Sequence, residues 1–130
     1  MTYNLFISHS WTYSDAYEKL VGMLNSATDF TYKNYSVPKN SPIHNANNDA
    51  QLRAAIRKQM QHASCVLILA GVYASYSKWI KIEIELAQEM GKKIVAVEPW
   101  GAERTSVVVK RAARKIAGWN TTSVIRSIKE

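Results

Sequence analysis

The sequence predicts an α/β protein in which helices cover both faces of a five-stranded parallel sheet with the strand order 2-1-3-4-5. Two observations predict this three-layer fold. Segments with the apolar pattern of strands alternate along the chain with segments that have the period of amphipathic helices. The most apolar stretch, Ser64 to Leu69, is short enough to be a strand that is buried on both faces, as central strands of parallel sheets are.

The first half of the chain contains two predicted strands and two predicted helices. Asn4 to Ser8 is a short apolar strand, and Ser14 can cap the helix that follows a polar turn. Tyr32 to Val37 is the second strand, and Pro38 ends it. A long polar loop then leads to a helix from Asn48 or Asp49 to about Gln61.

The second half repeats this alternation after the central strand. Its predicted elements are a helix over Ser75 to Met90, a strand over Lys93 to Val97, a helix from roughly Glu103 to Arg114, a short strand over Ile116 to Trp119, and a final helix that is capped by Asn120 or Thr121 and runs to Lys129. Right-handed crossovers leave few topologies for such a chain, and the flavodoxin-like order 2-1-3-4-5 fits best.

Glu83 is the most informative residue, because it interrupts the apolar side of a helix. The helix over Ser75 to Met90 ends at Gly91, which predicts a C-cap there. Its polar stripe contains Lys78, Lys81, Glu85, Gln88 and Lys92, and its apolar stripe contains Trp79, Ile82, Leu86 and Met90. Glu83 falls within the apolar stripe, whereas Glu85 points the opposite way. A carboxylate there loses hydration, so it is a candidate for a functional role.

Two interpretations of Glu83 follow from its position. It could pair with an arginine or lysine from another element, or it could line a cleft. Ligands of open parallel sheets bind outside the carboxyl ends of the strands, and the start of this helix opens onto that edge. The edge supplies the predicted substrate contacts, which are Ser8, His9, Ser10, Trp11, Tyr76 and Trp79. His9 could equally be a turn imidazole bonded to backbone, and Trp79 could equally be a core residue.

The composition and charge of the chain predict a single domain and argue against nucleic-acid-binding and membrane-spanning classes of protein. The chain has 130 residues, 47% of them hydrophobic, which predicts one domain over residues 1–130 with a proper core. Its net charge of +7 is spread over several helices and turns, which is typical of solvated faces rather than of a specific nucleic-acid site. No apolar run reaches the length of a membrane span, and the segment after Met1 is strand-like, so a cytoplasmic protein is expected.

Several familiar ligands are also excluded. The first turn lacks the glycines that cradle phosphate, and the first and third strands lack the terminal aspartates of a phosphoacceptor domain. His9, His44 and His62 do not have the spacing of a metal site. The single cysteine, Cys65, opens the buried central strand, so an inert core thiol is expected.

The chain resembles a Toll/interleukin-1 receptor (TIR) domain of the short bacterial branch. Tyr3 to Ser10 resembles the first strand of that family, and Ser77 to Glu83 resembles its Trp-x-x-x-Glu helix. Gly91 to Val97 matches the strand that follows. Asn34-Tyr-Ser-Val-Pro38 and Gly118-Trp-Asn120 further resemble the TIR-like proteins of the Thoeris anti-phage defence system.

The resemblance implies an enzyme that cleaves NAD⁺ at the nicotinamide–ribose bond, with Glu83 as the catalytic carboxylate. NAD⁺ would be the substrate, and neither a cofactor nor a metal is implied. The product would be a cyclic or modified ADP-ribose that reaches a separate effector protein by diffusion. Many domains of this fold are only adaptors, so a non-catalytic module for self-association remains the alternative. Neither a specific nucleic acid nor a membrane is an expected partner.

Overall fold

The computed structural model describes residues 2–8, 14–35, 49–69, 78–98 and 107–130. Strands and helices alternate within these ranges. In chain order they are β1 (Thr2–Ser8), α1 (Ser14–Ser26), β2 (Thr31–Asn34), α2 (Asp49–Met60), β3 (Cys65–Leu69), α3 (Lys78–Glu89), β4 (Lys93–Val97), α4 (Val107–Ala112), β5 (Lys115–Ala117) and α5 (Thr121–Lys129).

The five strands form one parallel sheet in the order β2-β1-β3-β4-β5, which confirms the predicted fold. β1 lies between β2 and β3, with Leu5 beside both Asn34 and Cys65. β3 lies at the centre, and every residue from Cys65 to Leu69 has a partner in β4. All four strand pairs are parallel, so the carboxyl ends of the strands lie at one edge of the sheet.

Alternation along the strands divides the core into two layers. Phe6, Val66 and Ile68 point to the face that is covered by α2, α3 and α4. Leu5, Ile7 and their neighbours point to the opposite face, which α1 and α5 cover. Successive side chains of a strand point to opposite faces, so each central strand contributes to both layers. The result is the predicted three-layer arrangement, with the sheet in the middle.

Two helix ends confirm the capping residues that the sequence predicts. Gly91 has φ 68°, and its N–H bonds to the carbonyl of Gln88 at 3.2 Å. The N–H of Lys92 bonds to Ala87 at 2.8 Å, which completes a Schellman turn after α3. Asn120 caps α5, because its side-chain oxygen accepts a hydrogen bond from the N–H of Ser123 at 2.8 Å.

Several predicted boundaries are wrong by one to three residues, and three of these differences have a structural cause. β2 ends at Asn34 because its pairing with β1 ends there, and the predicted end at Val37 lies outside the described residues. α4 ends at Ala112 rather than Arg114, because the N–H of Arg114 already bonds to the carbonyl of Ile94 in β4. β5 ends at Ala117 rather than Trp119, because the chain turns there so that Asn120 can cap α5.

None of the helices in the described part of the chain is both long and apolar enough to cross a lipid bilayer.

Cys65 is a buried thiol without a disulfide partner, as the sequence predicts. It lies at the start of β3 with 3% of its surface exposed. Burial raises the pKa of this thiol from 9.0 to about 11, and the nearby charge of Lys93 partly opposes the rise. Because the thiolate is the reactive form, the folded protein should hold Cys65 in an unreactive state near neutral pH.

We therefore expect iodoacetamide to alkylate Cys65 slowly at pH 8 in the folded protein and rapidly in denaturant. Between about pH 9 and pH 11 the unfolded chain loses the thiol proton while the folded chain keeps it, so stability should fall as the pH rises. Cys65→Ala lacks this proton and should lose less stability over the same range. Mass spectrometry measures the alkylation rates, and melting curves measure the change in stability with pH. Equal alkylation rates in the folded and unfolded protein would contradict the prediction that folding makes Cys65 unreactive.

Candidate active site

Glu83 is a buried carboxylate on α3. Only 1% of its surface is exposed, although the helix that carries it has exposed residues on its other side. Ile82, Ile84 and Leu86 surround it along the helix and are buried too. A carboxylate loses strong hydration when it is buried, so its position needs polar partners or a functional reason. The structure therefore agrees with the prediction that Glu83 lies on the apolar, buried side of this helix.

Ser8 provides a polar partner for Glu83. It is the last residue of β1, and its side chain is 1% exposed. Its hydroxyl Oγ donates a hydrogen bond to Oε1 of Glu83. Such a bond favours the charged form of a carboxylate and so opposes the effect of burial. The contact places Glu83 at the carboxyl end of β1, the edge of the sheet at which the sequence predicts substrate binding.

The strand and the helix meet here for a topological reason. β1 and β3 are neighbours in the sheet, with Ser8 beside Ile68, and α3 is the helix that follows β3. Ser8 and Phe6 are two positions apart, so both point to the face on which α3 packs. Glu83 can reach Ser8 from that helix because both lie toward the same edge of the sheet.

Glu85 lies in a more exposed environment than Glu83, as predicted from its position on the opposite side of the helix. Its carboxylate pairs with the guanidinium of Arg53 on α2, and both side chains are about two fifths exposed, at 41% and 38%. One turn further along, Glu89 pairs with Arg57 of α2 at 3.3 Å. These ion pairs lie between two packed helices in contact with solvent. Glu85 therefore has a structural partner of its own and is a natural control for Glu83.

The structure describes only part of the predicted substrate-binding set. Ser8 is in place and contacts Glu83, whereas His9, Ser10, Trp11 and Tyr76 lie outside the described residues. Trp79 lies within α3, but its side chain is also outside the described part. The predicted roles of all six residues in binding substrate stay predictions, as does the catalytic role of Glu83.

Sequence reasoning missed two features of the site. It did not pair Ser8 with Glu83, although both are polar residues among apolar neighbours, which is the signal that could have suggested a contact. It also placed too few residues on the buried side of α3, where Ile80, Ile84 and Ala87 are buried as well. α3 packs against α2 and α4 as well as the sheet, so more of its surface is covered than one stripe.

Within the ranges that the structure describes, there is no group of three or more histidine, cysteine, aspartate or glutamate side chains that could hold a metal ion.

The five-stranded parallel sheet with helices on both faces is the architecture expected of a TIR-like domain, and Glu83 lies on the helix after β3, where the resemblance places the glutamate of that family. Residues 6–104 match the family described as the TIR-like domain of the Thoeris protein ThsB. The match covers most of the chain and includes both Ser8 and Glu83, so the chain belongs to this family. No curated protein matches the sequence.

Solved structures with the same fold are distant in sequence. A conserved protein from Enterococcus faecalis V583 has a TM-score of 0.66 at 9% identity, over 99% of this chain and 98% of that chain. The CMP N-glycosidase BcmB of Clostridium botulinum has a TM-score of 0.56 at 17% identity, over 97% and 98% of the two chains. A prokaryotic SEFIR domain gives 0.51 at 14% identity, over 97% and 93%. At these identities the likeness establishes the fold alone.

Proposed function

We propose that this TIR-like domain cleaves NAD⁺ at the nicotinamide–ribose bond and converts it to a cyclic or otherwise modified ADP-ribose that acts as a signal in anti-phage defence. The observation that carries the proposal is the carboxylate of Glu83, buried at 1% exposure and held by Ser8 at the carboxyl end of β1. Burying a charge there is costly, and a catalytic task explains why it is kept.

The proposed reaction requires few functional groups from the protein. The bond between the ribose C1′ and the nicotinamide nitrogen breaks, and its electron pair leaves with nicotinamide, which becomes neutral. The ribose is left as an oxocarbenium-like species with a positive charge. A fixed carboxylate stabilises that charge more strongly in a site of low polarity than in water. A hydroxyl group of the same molecule, or water, then bonds to C1′ and loses its proton, which gives a cyclic or a linear product.

Two comparisons support this assignment. Membership in the Thoeris TIR-like family favours a role in anti-phage defence. The CMP N-glycosidase of similar fold cleaves, as its description states, an N-glycosidic bond. NAD⁺ contains the same kind of bond, between a ribose and a nitrogen heterocycle. The proposed chemistry therefore belongs to a class that this architecture can support.

Product analysis tests the substrate. We expect the protein, purified from phage-infected cells so that any activating signal has acted, to release nicotinamide from NAD⁺ and to leave CMP intact. Chromatography with mass spectrometry would separate nicotinamide, ADP-ribose and its cyclic isomers. Release of cytosine from CMP without release of nicotinamide from NAD⁺ would show that CMP, rather than NAD⁺, is the substrate. Consumption of neither nucleotide, together with self-association, would favour the non-catalytic module instead.

A further inference from the structure

The side chain of Ser8 is fixed by the sheet. Ser8 ends β1, a strand with a neighbour on each side, and its backbone lies in register with Ile68 of β3. The strand alternation directs its hydroxyl to the face that α3 covers, where the side chain is 1% exposed. The hydroxyl therefore has little freedom to reach a group other than those packed around it.

The direction of the hydrogen bond limits what Ser8 can do for a substrate. A serine hydroxyl has one proton, and Ser8 donates it to Oε1 of Glu83. While this bond exists, Ser8 has no proton to donate to a ribose or phosphate oxygen. Glu83 in turn has several rotatable side-chain bonds, and a donor on a rigid strand restricts the direction in which its carboxylate points.

We propose that Ser8 is a positioning residue, which fixes the direction of the Glu83 carboxylate through its hydrogen bond and acts on the substrate only through that carboxylate. This role rests on the proposed function, because it assumes that Glu83 acts on the developing positive charge. It differs from a substrate contact in its consequences. Loss of a positioning residue lowers kcat, whereas loss of a contact made equally in substrate and transition state raises KM.

The kinetic test compares Ser8→Ala with Ser8→Thr, which restores a hydroxyl. For Ser8→Ala we expect kcat for NAD⁺ cleavage to fall on the order of 10-fold to 100-fold, because a misplaced catalytic group is inefficient, while KM stays nearly unchanged. The acid limb of the pH–activity profile should move to higher pH, since the lost bond favoured the charged carboxylate. Ser8→Thr should recover most of kcat and return the acid limb toward that of the wild type.

A second measurement does not depend on activity. Ser8→Ala should lower the melting temperature more above the pH at which Glu83 loses its proton than below it, because the lost hydrogen bond is stronger to the charged carboxylate. The pH dependence of this loss should vanish when Ser8→Ala is made in the Glu83→Gln protein, which has no carboxylate at this position. The comparison remains valid for variants that are destabilised but still fold.

The outcomes separate the positioning role from the proposed function. Inactive Glu83→Gln together with Ser8→Ala of normal kcat and raised KM would overturn the positioning role and leave the proposed function intact. Full activity of Glu83→Gln would overturn the proposed function, and with it the role of Ser8 in catalysis. Reduced kcat, unchanged KM, a shifted acid limb and recovery by threonine would support the positioning role.

Discussion

Glu83→Gln should reduce NAD⁺ cleavage by on the order of 10²-fold to 10³-fold in kcat. Glutamine keeps the shape of the side chain and an oxygen that can accept the hydrogen bond from Ser8, but it removes the negative charge. The loss follows from the loss of electrostatic stabilisation of the oxocarbenium-like transition state. Nicotinamide release under activating conditions, measured against wild-type protein at equal concentration, gives the ratio directly.

The same variant should fold as well as the wild type. Removing a charge from a site that is 1% exposed removes a desolvation cost, so the melting temperature should stay the same or rise. This outcome would separate a chemical role of Glu83 from a structural one. A large fall in melting temperature together with the loss of activity would instead identify Glu83 as a residue that holds the fold.

Glu85→Gln is the matched control on the same helix. Glu85 is 41% exposed and pairs with Arg53, so its loss should cost less than about 1 kcal/mol of stability. Activity should stay near that of the wild type, because the ion pair lies on the face of α3 away from Ser8. Equal activity of Glu83→Gln and wild type would remove Glu83 from the mechanism. Equal loss in both glutamine variants would indicate damaged folding or assembly.

Ile68→Ala should cause the largest loss of stability that we predict. Ile68 lies in the central strand β3, is fully buried, and packs in the layer between the sheet and α3. Truncation leaves a cavity in addition to the lost burial, at a cost of about 2–5 kcal/mol. That is a large share of the roughly 5–15 kcal/mol that stabilises a typical domain. Urea denaturation followed by circular dichroism would measure it.

Ile116→Ala is the control for this substitution. Ile116 is also in a strand, but β5 is at the edge of the sheet and the side chain is 45% exposed. The same change of side chain should therefore cost less than about 1 kcal/mol. The difference between the two variants measures burial, since residue type and secondary structure are matched. Similar losses at both positions would contradict the assignment of β3 as the buried central strand.

The order of elements could be predicted from the sequence because the signals are local. Strand and helix periods, the Gly91 cap and the Asn120 cap each depend on a few neighbouring residues. The ends of helices and strands were harder to predict where they depend on contacts with another element. β2 ends where its pairing with β1 ends, and Arg114 leaves the helix because its N–H bonds to β4.

The sequence by itself determined the fold class, the family and the unusual position of Glu83 on an apolar helical face. Only the tertiary structure decided what that carboxylate contacts. Ser8 and Glu83 are 75 residues apart, and no local pattern links them. They meet because parallel pairing places β1 beside β3, and because α3, the helix that follows β3, packs on the face of the sheet to which Ser8 points. Helical period fixes the direction of a side chain, but its partner depends on strand order, which is a property of the whole chain.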